Sequence, residues 1–262
     1  MTPLQNLALA AAALGAGAMN AMAGGGTILT FPTLVFLGMP AIMANATSTV
    51  ALLPAAVTSM FGYRREVSTH RKWLKTLFLP SLIGGITGSI LLLRTPEKVF
   101  AGLAPVLVLF ATVLFMVRGA LARRFLPTSG DAPPQPGQLS SGHWALAWGL
   151  QLGVAIYGGY FGAGIGILML ALLGFLGLTD IHAMNGLKNF FNLCINVVAA
   201  GYFVMQGAVS WPEALVLAAG AALGGYAGAR FSKRIGQDKA RRAVIVIGLL
   251  VTAILAWQQL AK

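Results

Sequence analysis

Charge is scarce in this sequence, and acid is scarcer than base: 9% of the 262 residues are charged, and only six of those are acidic. An average water-soluble domain carries about 25% charged residues, so a soluble globule is excluded. Cysteine is almost absent, and the lone Cys194 has no partner within the chain, which rules out an internal disulfide framework. His70, His143 and His182 are the whole histidine complement; they fall in loops or at segment ends, without metal-ligand spacing. An intramembrane hydrolase would need its base or metal ligands at depth, so catalysis and a resident metal or other cofactor find no support. No GxxxxGK[ST] run occurs, and the chain carries no ATP-binding loop of that kind. Before Arg64 there is no Lys or Arg at all. A secretory signal begins positively charged, so residues 4–23 are expected to be a resident helix, although Ala21-Met22-Ala23 has the look of a cleavage site.

What is abundant is apolar: 57% of the chain is hydrophobic and its mean hydropathy is +0.80. Apolar segments lie at 4–23, 27–39, 43–62, 73–93, 97–118, 144–160, 164–178, 182–206, 212–230 and 240–258. A helix needs about 20 such residues to cross a bilayer, which predicts an all-α, multi-pass membrane protein. The second and seventh segments are short for a crossing. Each is entered through glycines, Gly24-Gly25-Gly26 and Gly158 to Gly166, so each is expected to be a broken or re-entrant helix; whether it crosses fully is left open. A net charge of +12 would suit a nucleic-acid binder if the basic residues shared an aromatic-rich surface. They sit instead in loops between apolar segments, as in proteins whose partner is the lipid bilayer.

The polar stretch Pro127 to Gly142, rich in Pro, Ser, Gly and Gln, reads as a linker over 127–142 between a first repeat, 1–126, and a second, 143–262. A shift of 139 superimposes Phe36-Leu37-Gly38 on Phe175-Leu176-Gly177, and a shift of 140 superimposes Gly84, Gly85, Gly88 and Arg94 on Gly224, Gly225, Gly228 and Arg234. Five segments per copy force the second copy to start from the opposite face, which predicts inverted-topology repeats. Fourteen of the eighteen Lys and Arg residues fall in 63–75, 118–143 and 230–242. These stretches are therefore expected in the cytoplasm, with both termini periplasmic.

In the eighth segment Asn185, Asn189, Asn192 and Asn196 recur at spacings of four, three and four beside Lys188, giving one helical face that lipid cannot satisfy. A substrate pathway is one reading of that face; bonds to neighbouring helices, and for Lys188 a reach toward the headgroups, are the others. The third segment starts with Asn45, Thr47, Ser48 and Thr49. Broken helices expose N–H groups that hold anions, which adds Asn20, Gly24, Gly25, Gly26 and Thr27 in the first copy and Tyr157, Gly162, Gly164 and Gly166 in the second. Close packing is the alternative for every one of these glycines, and it is the assignment for the Gly84/Gly88 and Gly224/Gly228 pairs. None of Glu66, Glu97, Asp131, Asp180, Glu213 and Asp238 lies well inside a segment, whereas a cation pathway usually needs a carboxylate at depth. A small anion is the substrate this donor-rich composition fits. Asp180 and His182 stand at a segment mouth, suited to an ordinary loop role or to a proton relay.

The runs Asn20-Ala21-Met22-Ala23-Gly24-Gly25-Gly26-Thr27, Phe31-Pro32, Asn45-Ala46-Thr47-Ser48-Thr49 and Tyr63-Arg64-Arg65 resemble the first-half motif of the sulfite exporter TauE/SafE family. Its second-half partner is resembled by Tyr157 to Gly164, by Asn185-Gly186-Leu187-Lys188-Asn189 and by Gly224 to Arg230. The resemblance implies a bacterial inner-membrane permease whose relatives handle sulfite, sulfonates or related anions. By matched position it implies Asn20, Gly25, Asn45, Thr47, Ser48, Tyr157, Asn185, Lys188 and Asn189 as pathway residues, to which the stripe itself adds Asn192. A passive anion channel, a membrane-embedded enzyme or the non-transporting partner of one are the competing readings. Substrate identity, direction, coupling ion and self-association into a homo-oligomer stay open.

Overall fold

The computed structural model describes residues 3–22, 25–62, 64–125, 141–235 and 237–260. Every element within them is a helix: α1 (Pro3–Met22), α2 (Thr27–Phe36), α3 (Ala41–Gly62), α4 (Arg64–Thr69), α5 (Arg71–Arg94), α6 (Glu97–Phe125), α7 (Ser141–Tyr160), α8 (Ile165–Phe175), α9 (Ile181–Met205), α10 (Trp211–Ile235) and α11 (Gln237–Leu260). Among the described residues, Ala41–Met60, Arg71–Arg94, Glu97–Val117 and Ile181–Met205 are long and apolar enough to cross a membrane. The protein is an all-α membrane protein.

Helix ends run past the apolar segments read from sequence. The third helix starts at Ala41, α6 continues to Phe125, and α10 and α11 reach Ile235 and start again at Gln237. Of the stretch 63–75, expected as a loop, residues 64–75 are the short α4 followed by the first turn of α5. Hydropathy marks only what lipid covers, while Lys and Arg are good helix formers that carry the backbone ladder on into water. At the short helices the agreement is closer. The α2 helix has 10 residues and α8 has 11, about half a bilayer at roughly 1.5 Å per residue. Both stop in the same way. Gly38 and Gly177 take positive φ, Met39 N–H donates to Leu34 O, and Leu178 N–H donates to Leu173 O, the six-to-one bond of a glycine-terminated helix.

The bundle is polar-inside and apolar-outside along α5. Leu77, Ser81, Gly84, Gly88 and Leu92 are buried at helical spacing, while Leu79, Ile83 and Ile86 are exposed on another face, where lipid solvates them. Small residues let backbones touch. A Cβ on Gly84 or Gly88 would enter the α7 backbone, and one on Gly224 would enter the α1 backbone at Leu14, so these three are packing glycines. The side chain position of Gly228 lies outside the described residues. The packing is reciprocal: α1 lies along α10 while α7 lies along α5, so each half lends its first helix to the other. The cores of the two halves merge through α3 and α9, which pack on each other.

Three helices begin together. Glu97, in the first turn of α6, accepts from Ala41 N–H and, at 3.3 Å, from Ile42 N–H, tying the start of α6 to the start of α3. Ser210, just before α10, donates its N–H to Thr47 Oγ1 at 3.0 Å. From that shared end α3, α6 and α10 run for 22, 29 and 25 residues to the opposite side of the bundle.

Candidate functional site

The break between α7 and α8 is built by glycine and held by tyrosine. Gly162 and Gly164 both sit at φ 76, a left-handed conformation that side chains resist, and they turn the chain between the two helices. Tyr157 Oη donates to Ala163 O at 2.6 Å and clasps the turn from the α7 side. Gly158 and Gly159, read from sequence as part of the break, lie within α7; a Cβ on either would overlap Ile165 or the Gly85 carbonyl, so their role is close packing. Phe161 meets Phe31 edge-on at 5.3 Å, and Tyr160 meets Phe100 at 5.6 Å, closing one flank with aromatic rings.

On the α8 side, the helix N-terminus faces the asparagine stripe. Lys188 Cδ lies 3.4 Å and Asn192 Nδ2 3.6 Å from where a Cβ on Gly166 would stand, so Lys188 and Asn192 turn toward α8 and not toward lipid. Lys188 Nζ donates to Asn185 Oδ1 at 3.0 Å, and Asn185 Nδ2 donates to Ile181 O at 2.8 Å, which holds the ammonium from below. The N–H of Gly166 has no hydrogen-bond acceptor among the described residues. The positive end of α8 thus has the Asn192 carboxamide and the stem of Lys188 beside it, with the ammonium turned toward Asn185. Asn196 Nδ2 donates to Asn192 O within its own helix, and Asn189 is half-buried on the same helix.

The first half places its residues differently. Asn45, Thr47 and Ser48 are all buried. Asn45 Nδ2 donates to Tyr160 O at 3.0 Å, reaching across to the break of the other half. Ser48 Oγ and Thr30 Oγ1 share a hydrogen at 2.5 Å, and Thr30 Oγ1 also donates to Gly26 O at 3.2 Å. Gly25 is packed against the ring of Phe115, which a Cβ would approach to 2.5 Å. Leu52 lies beside Gly26 as Asn192 lies beside Gly166, under the same shift of 140, and the Ala16 carbonyl oxygen stands 3.1 Å from where a Cβ on Gly26 would be, so the matching position in the first half has a leucine and a carbonyl where the second has an amide and a lysine stem. The side chain of Asn20, and Gly24, lie outside the described residues.

A sequence profile of the sulfite exporter TauE/SafE family matches residues 9–255. The chain belongs to that family. Relatives match it almost end to end. A "Probable membrane transporter protein" of Haemophilus influenzae is 26% identical over 247 residues, 92% of this chain and 90% of the relative. "Probable membrane transporter protein ORF9" of a Sinorhizobium species is 26% identical over 240 residues, covering 91% and 87%. "Probable membrane transporter protein YfcA" of Escherichia coli K12 is 24% identical over 247 residues, covering 92% and 86%. No solved structure matches the chain. As a TauE/SafE protein with membrane-length apolar helices, it is a multi-pass membrane transporter.

Some residues that shape this TauE/SafE site escape a reading of the sequence. Glu97 fixes the start of α3, one turn from Asn45, and gives no motif signal of its own. Ser210 and Glu213, hydrogen-bonded to each other, do carry a signal, the Ser-x-x-Glu pattern of a helix start. Asp180, weighed as a relay, accepts from His182 N–H at 2.9 Å and caps α9. Among the described residues no group of three His, Cys, Asp or Glu side chains is placed to hold a metal ion.

Proposed function

We propose that the protein is a secondary permease for small anions of the oxidised-sulfur class, such as sulfite or organosulfonates. The observation that carries this reading is Lys188 with Asn192 beside Gly166 at the start of α8. A tetrahedral or pyramidal oxyanion needs compensating charge and several donors at once. The ammonium supplies the charge, while Asn192 Nδ2 and the Gly166 N–H supply directional donors. Inside a low-dielectric bundle such groups hold an anion more firmly than they would in water.

The first and second halves act as inverted repeats in this reading, rocking about the α3–α9 contact so that the niche faces each side in turn. The basic ends of α3, α6 and α10 face the cytoplasm of a bacterial inner membrane, and both termini face the periplasm. The family's name supports sulfite as the first substrate to try, and the donor set supports the wider oxyanion class.

Purified protein in proteoliposomes is expected to move radiolabelled sulfite or a small sulfonate saturably. Lys188→Ala is expected to cut that flux by about tenfold or more, the worth of one charge-assisted contact. Full flux in Lys188→Ala would remove the charge role and with it this site.

A further inference from the structure

Asn45 is 1% exposed, and its Oδ1 has no hydrogen-bond partner among the described residues. The amide cannot be reversed to satisfy it, because Nδ2 already donates to Tyr160 O at 3.0 Å. An acceptor so buried calls for a donor or a cation. The other half shows which. Under the shift of 140, Asn45 corresponds to Asn185 and Ser48 to Lys188. Asn185 Oδ1 receives the Lys188 ammonium at 3.0 Å. In the first half the lysine is replaced by Ser48, so the matching oxygen faces a position from which the fixed cation has been deleted.

The surroundings are oxygen-rich. Asn45 and Ser48 are three residues apart on one face of α3, and because Thr30 donates to Gly26 O, Ser48 donates to Thr30 and keeps its own lone pairs free. Across from them α7 ends at Tyr160. Both Phe161 N–H and Gly162 N–H turn back to Tyr157 O, so the carbonyls of Gly158, Gly159 and Phe161 accept no hydrogen bond among the described residues. This is the negative end of a helix dipole. Hard cations take such oxygens, and neutral amide and carbonyl ligands without a carboxylate suit a single positive charge. Glu97, one turn away, is already engaged with the N–H groups of Ala41 and Ile42.

We propose that a sodium ion binds at Asn45 Oδ1 and Ser48 Oγ against the carbonyl end of α7, and that it is the coupling ion of transport. The coupling role rests on the permease reading above; the binding site does not. A broken helix then offers a cation to one side and an anion to the other: α7 ends negative at the sodium, and α8 starts positive at Gly166 and Lys188. The two ions travel in the same direction.

Binding of radioactive sodium to purified protein in detergent, with no anion present, tests this apart from any flux. Saturable binding, competed by unlabelled sodium and not by choline, is expected. Asn45→Ala should weaken it by about tenfold, and Asn45→Asp, which keeps an oxygen at the same point and adds a negative charge, should bind more tightly than the parent. Gel filtration checks that each variant is monodisperse. No saturable binding in the parent, or unchanged binding in Asn45→Ala, overturns the site. Should Asn45→Ala fail to fold, an unchanged sodium affinity in Asn45→Asp overturns it instead. Sodium binding without a sodium dependence of sulfite flux overturns the coupling role alone.

Discussion

At the scale of single residues, neighbours with similar side chains do different work. Thr47 and Ser48 are adjacent and both fully buried, yet Thr47 serves the start of α10 and Ser48 pairs with Thr30. Thr47→Val removes the acceptor for Ser210 N–H in a part-buried setting, where the lost hydrogen bond is worth about 1 kcal/mol. A lowered unfolding midpoint in detergent is expected, and a midpoint equal to the parent's would show that water or another group takes over. Lys188 illustrates what sequence conveys and what it does not. Its place on a polar helical face was legible from the spacing of Asn185, Asn189 and Asn192, but that spacing says nothing about what stands opposite. Only the approach of α8 puts Gly166 there.

Between elements, glycine decides the spacing. At Gly88 a Cβ would enter the α7 backbone at Ile156 and Tyr160, so Gly88→Val must push two helices apart, an overpacking that costs about 1–3 kcal/mol. Gly102 on α6 and Gly153 on α7 have open space where a Cβ would go, and alanine at either is expected to leave stability unchanged or to raise it slightly. Thermal unfolding of the three variants side by side checks the contrast; equal losses would mean that the close approach of α5 and α7 is not what Gly88 serves. The glycines at 84, 88 and 224 were recognisable from their spacing of four and their recurrence in both halves. Gly158 and Gly159 were not separable from the break, because a glycine run reads alike whether it turns a chain or admits a neighbour, and here Gly85 of α5 is the neighbour.

Over the whole molecule, the hydrogen bonds at Glu97 and Ser210 gather the starts of α3, α6 and α10 at one end, so the far ends of α3 and α10, at Gly62 and Ile235, lie on the same side of the bundle. Reporter fusions at residues 70 and 236 should therefore give one and the same cytoplasmic signal; opposite signals would break the arrangement. The lipid solvent, the helical class and the places where helices break could be read from the order of residues. Each of these is a local property: hydropathy over about 20 residues, the 3.6-residue period, and glycine where φ turns positive. Tertiary structure alone decided which polar atoms meet, since the bonds that define the site join Asn45 to Tyr160 and Thr47 to Ser210, 115 and 163 residues apart. It also left Asn45 Oδ1 without a donor among the described residues while giving Asn185 Oδ1 an ammonium. Periodicity assigns a side chain to a face, whereas its partner across the gap depends on how far the facing backbone can approach, and that is a property of the packed bundle.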